Sequence, residues 1–107
     1  MQCINQVLLY IMEIARTILE QIKFGDKWAL MAYGACNYVA LQESKEYQGG
    51  VKFQVNGLRH KGTVLIQLKW IDTYIITFVN KKGVAVREVE DVYCDKLVDV
   101  LDYIEGK

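Results

Sequence analysis

His60 is the only histidine in the chain, and it stands between Arg59 and Lys61. An imidazole beside two cations suits general-base work or contact with a phosphate. A base acting in nucleophilic catalysis needs a partner to deprotonate, and no serine or cysteine lies near His60 in sequence. Together with Arg59, Asp72 and Tyr74 it makes the set from which a small enzyme or ligand binder would be built. Trp70 sits at a strand end beside a turn, so it is the aromatic best placed to line such a cleft. The alternative role for His60 is that of a strand or turn histidine with a local hydrogen bond.

A single histidine excludes a multi-histidine zinc site. Cys3, Cys36 and Cys94 are widely spaced and form no CxxC pair, so no metal site is expected. Gly49-Gly50 lacks the Lys-Ser/Thr that completes a phosphate loop, and nothing matches GxGxxG. No cofactor is expected either. Asp91, Asp95 and Asp99 recur at i, i+4, i+8, but a calcium loop would need glycine and irregular backbone there. Three unpaired thiols read as mostly buried cysteines of a reducing cytoplasm. Trp28, Tyr33, Tyr38, Trp70 and Tyr74 would serve a core or an interface, or else stack against a ligand.

The charge pattern is more informative than its total. Thirteen Lys+Arg balance thirteen Asp+Glu, which argues against bulk electrostatic binding of nucleic acid. By segment, however, residues 1–48 carry net −1, residues 49–87 net +6 and residues 88–107 net −5. Alternation over 51–70 puts Lys52, Gln54, Arg59, Lys61, Gln67 and Lys69 on the non-core face of one hairpin. In a tight-turn register Lys52 and Lys61 are cross-strand neighbours, a mildly repulsive pair that calls for solvent or an anion. Lys52, Arg59, Lys61 and Lys69 are therefore the candidate contacts for nucleic acid or another anion. A solvated outer face, or pairing with the acidic end of a second copy, are the competing uses of the same charges.

The elements that must position these residues follow from periodicity. Ile4, Val7, Leu8, Ile11, Ile14, Ala15, Ile18, Leu19 and Ile22 have helical spacing and predict a helix over 3–24. Leu9, Tyr10 and Met12 widen its apolar arc beyond what one sheet needs, which suggests a second copy on the far side. Gly25 suits a left-handed cap. Residues 28–35 are expected as a strand and 42–50 as a loop. Val51, Phe53 and Val55 lead into Asn56-Gly57, the preferred two-residue hairpin turn, and then a strand over 58–70. In that register Val55 faces Leu58 and Phe53 faces His60; a loop from Asn56 to Gly62 is the competing reading. Strands over 74–79 and 84–89 are joined by a turn at 80–83. A short helix then carries Tyr93, Leu97, Val100, Leu101 and Ile104 inward, with Asp91 or Asp95 as its cap.

The chain of 107 residues is 52% apolar, 24% charged and free of proline. That composition excludes disorder and suits one α+β domain over 1–107. The fold expected is a long N-terminal helix, an antiparallel meander of four to five strands and a short C-terminal helix, with both helices on one face. Residues 7–12 lack the basic flank of a signal peptide, and Glu13, Arg16 and Glu20 interrupt the run too early for a membrane span. The function class expected is a cytoplasmic, non-enzymatic interaction protein, homodimeric through its N-terminal helix, with no membrane contact. Anion binding on the hairpin and a small His60-centred site are the alternatives.

Overall fold

The structure is a computed structural model that describes the backbone over residues 2–105 and the side chains over residues 13–104. Helix α1 (Gln2–Gly25) is followed by a single turn of helix, α2 (Ala29–Ala32). Five strands come next: β1 (Cys36–Leu41), β2 (Tyr47–Asn56), β3 (Lys61–Lys69), β4 (Tyr74–Asn80) and β5 (Ala85–Val92). The chain closes with a 3-10 turn over Cys94–Lys96, helix α3 (Leu97–Leu101) and a second 3-10 turn over Asp102–Glu105. The sheet is wholly antiparallel, in the order β1-β2-β3-β4-β5. No described helix is long and apolar enough to cross a membrane.

One apolar face of the sheet builds the core. Val51, Phe53, Val55, Val64, Ile66, Ile76 and Phe78 alternate inward and meet Ile18 and Ile22 of α1 and Leu97 and Leu101 of α3. On α1 the buried Ala15, Ile18 and Ile22 keep the helical stripe, while Arg16 Nε donates to Glu20 Oε1 at 3.1 Å on the solvent side. The predicted wide arc at Leu9, Tyr10 and Met12 falls outside the described side chains.

The region before β1 departs from expectation. Residues 28–35 are helix and turn, not strand. Ala29, Leu30 and Tyr33 are buried on one side of this turn, and Gly34, at φ 65°, reverses the chain into β1. The alanines favour helix, and the turn delivers Tyr33 into the core, where it is buried. Gly25 remains helical instead of taking a left-handed cap; its missing side chain admits Val98, whose Cγ2 would lie 2.9 Å from a Cβ there. The expected loop at 42–50 is shorter, because β2 already begins at Tyr47.

The β2–β3 register also differs. Val55 faces Gly62, Phe53 faces Val64 and Asn56 faces Lys61, so the connection is the loop 57–60. Neither the Asn56-Gly57 turn nor the longer loop is used. Arg59 N and His60 N both donate to Ile104 O, at 2.9 and 3.3 Å, and a Cβ on Gly57 would collide with Ile104. A tertiary contact thus overrides the local turn preference. The offset is even, so the residues within β2 and β3 keep their predicted faces although their partners change, whereas Leu58, expected inward, lies in the loop and is 86% exposed.

The β4–β5 hairpin is an Asx turn: Asn80 Oδ1 accepts from Lys82 N and Val84 N at 2.9 and 3.0 Å. Strand β5 runs to Val92, three residues beyond the predicted end at Val89. Asp91 sits in it at φ 56°, at a register break opposite Ile75. Neither Asp91 nor Asp95 caps a helix, since no side-chain cap bond forms at Tyr93 or Lys96.

Candidate functional site

The structure does not gather the His60 set. His60 is buried in the loop immediately before β3, edge-on to Phe78 at 5.3 Å between ring centroids, with Nε2 3.4 Å from Thr63 O. Trp70 follows the other end of that strand, where its indole Nε1 donates to Ser44 O at 3.2 Å. Nine residues of strand separate them, a span of about 30 Å. Tyr74 and Asp72 belong with Trp70: the phenol of Tyr74 donates to Gln21 Oε1 at 2.8 Å, and Asp72 Oδ1 accepts from Gln48 Nε2 at 2.9 Å. Burial raises the pKa of the Tyr74 phenol, against the opposing pull of the Gln21 bond.

The basic hairpin face is likewise divided. Lys52 faces Leu65, Lys61 faces Asn56 and Lys69 faces Tyr47, so the expected Lys52–Lys61 repulsion does not arise. Arg59 leaves the outer face altogether. Its guanidinium carbon lies 5.5 Å from the centre of the Tyr103 ring, and that of Arg87 lies 4.6 Å from the same ring. Tyr103 leans in turn on Phe78, at 5.1 Å between centroids.

Sequence reasoning passed over Arg87, although the strand alternation carried a signal. Arg87 faces Phe78, so it occupies an inward position of β5. A long cation there must reach past the core to its rim, and Tyr103 is the surface it finds. Lys81 and Lys82 stand in the hairpin turn at this same end of the sheet. Arg59, Lys61, Lys81, Lys82 and Arg87 are all exposed. The ion pairs among the described residues are Arg16–Glu20 and Lys96–Asp99, so none of the five is neutralised by a described carboxylate.

A second feature lies on α1. A groove of about 570 Å³ runs between the end of α1 and the segment leading into α3, lined by Thr17, Gln21, Phe24, Cys94 and Val98 with Glu20 and Asp95. Thr17, Gln21 and Phe24 form a second helical stripe beside the buried one. Phe24 is 95% exposed, the most exposed large apolar side chain described. The sequence signal was its place off the core stripe. Cys36 and Cys94 are exposed free thiols, contrary to the expectation of burial; Cys3 lies outside the described side chains.

No group of three or more metal-ligating side chains occurs among the described residues. No protein-family model, curated protein or solved structure matches this chain.

Proposed function

We propose that the chain is a non-enzymatic interaction protein that pairs with a second copy of itself through α1. One observation carries the reading: the same helix presents a protruding apolar knob, Phe24, and borders an apolar groove. A two-fold interface requires one patch to be complementary to itself, so knob and groove must lie on the same surface. An exposed phenylalanine is a large apolar payload to leave in water, and its burial drives association. Glu20 and Asp95 give the groove the polar margin usual around an apolar interface centre. The separation of His60 from Tyr74 supports a binding role over catalysis. Exposed, unpaired Cys36 and Cys94 support a reducing, cytoplasmic setting.

Sedimentation equilibrium at tens of micromolar tests the proposal. The expected result is a dimer for the native chain and a shift to monomer for Phe24→Ser, with unchanged circular dichroism. A strict monomer at that concentration overturns it.

A further inference from the structure

The end of the sheet that carries Arg59 and Arg87 has no part in the α1 interface. We infer that it binds the phosphodiester backbone of nucleic acid. Arg59, Lys61, Lys81, Lys82 and Arg87 converge there from the β2–β3 loop, the start of β3, the β4–β5 turn and the start of β5. With no ion pair to them among the described residues, these five cations raise the local potential and draw polyanions. Most of the +6 charge of residues 49–87 is thereby focused on one end instead of spread along a hairpin face.

Two of the cations are held ready. The guanidiniums of Arg59 and Arg87 rest on the Tyr103 ring, which limits their motion before any ligand arrives. A guanidinium stacked on a ring still presents its N–H edges, the geometry that grips a phosphate oxygen pair. Arg59 is further fixed through its backbone, which donates to Ile104 O at 2.9 Å. Ordering completed in the free protein is not charged against binding.

The neighbouring Leu58 supports nucleic acid over an acidic peptide. It is 86% exposed in the same loop as Arg59. A lone apolar side chain among cations matches bases that lie beside phosphates, where apolar wedges contact base steps. The five cations stand on exposed loop, turn and strand-end positions, which suits an extended polyanion more than a small ligand that must be enclosed.

Fluorescence anisotropy with a labelled oligothymidylate and a labelled DNA duplex, each on the native chain, tests the inference; the two arms separate single-stranded from duplex targets. Five phosphate contacts predict a loss of affinity of about 100-fold on the single strand and about 500-fold on the duplex for an approximately fourfold rise in salt. Arg59→Ala with Arg87→Ala weakens binding by at least about tenfold and lowers the single-strand salt slope by about 0.7 per contact removed. Lys81→Glu with Lys82→Glu, at an exposed turn, does the same without touching Tyr103. Lys52→Ala with Lys69→Ala leaves binding unchanged. The inference is overturned by absence of binding to both probes at low salt, by equal losses in the Lys52 and Lys69 variant, or by poly-glutamate binding as tightly as the oligonucleotides.

Discussion

The phenol of Tyr33 donates to Oδ1 of Asp102 at 3.0 Å, across 69 positions of chain. The bond ties the turn after α2 to the segment that carries Tyr103 and Ile104. Tyr33 O also accepts from Asn56 N at 2.8 Å, so one residue fastens both neighbours of the 57–60 loop. Tyr33→Phe keeps the ring and removes the donor to a carboxylate. The expected cost is about 1–3 kcal/mol, read as a lower urea midpoint with an unchanged slope.

Gly57 and Gly83 make opposite cases for substitution. A Cβ at Gly57 meets the side chain and carbonyl of Ile104, whereas one at Gly83 meets nothing within 4 Å but inherits φ 86°. Gly57→Ala is expected to cost about 2–3 kcal/mol through overpacking, and Gly83→Ala about 1 kcal/mol through backbone strain alone. Urea unfolding of the two variants side by side gives the comparison. Equal effects would mean that Ile104 does not press on the loop in solution.

Alkaline pH should destabilise the fold through the buried Tyr74 and, to a smaller extent, the half-exposed Tyr38. Burial raises the phenol of Tyr74, and that of Tyr38 is raised first by burial and then by Cys36, both above the ordinary 10.0. Between that value and the higher folded one, the unfolded chain has released protons that the folded chain still holds. Stability from these groups is therefore complete below pH 10.0 and lost as pH rises beyond it. Thermal melts from neutral into strongly alkaline buffer should show the decline, and Tyr74→Phe should make it shallower.

Cys94 lines the groove beside α1, while Cys36 begins β1 elsewhere on the surface. Both thiols are exposed, so iodoacetamide should reach both in dilute protein. At tens of micromolar, pairing through the groove slows alkylation of Cys94 severalfold and leaves Cys36 unchanged. Mass spectrometry of the two cysteine peptides resolves the rates, and concentration-independent labelling of Cys94 would count against the α1 interface.

The legible parts of the sequence were those governed by local period. The stripe of Ala15, Ile18 and Ile22 and the alternation of Val51, Phe53 and Val55, and of Val64 and Ile66, predicted both the elements and the buried faces, while Leu58, on the same phase, is exposed in the loop. What escaped was decided by contacts distant in sequence. Asn56-Gly57 carries the strongest local turn signal in the chain, yet Ile104 draws the following residues into a longer loop. Trp28 to Ala35 had mixed propensities, and the burial of Tyr33 selected helix and turn. The candidate site residues are regrouped for the same reason. His60 and Tyr74 are close in sequence but are carried to opposite ends by β3, whereas Arg59 and Arg87 are brought together by the return of β5 alongside β4.

The sheet joins each strand only to its sequence neighbours, so hairpin after hairpin can zip during synthesis without waiting for distant chain. The Ile104 strap is the exception. At about 5–20 residues per second it leaves the ribosome several seconds after the loop that it must hold. During that interval Asn56-Gly57 is free to adopt the tight turn it locally prefers. Arrival of Ile104, whose carbonyl accepts from Arg59 N and His60 N, then favours the longer loop.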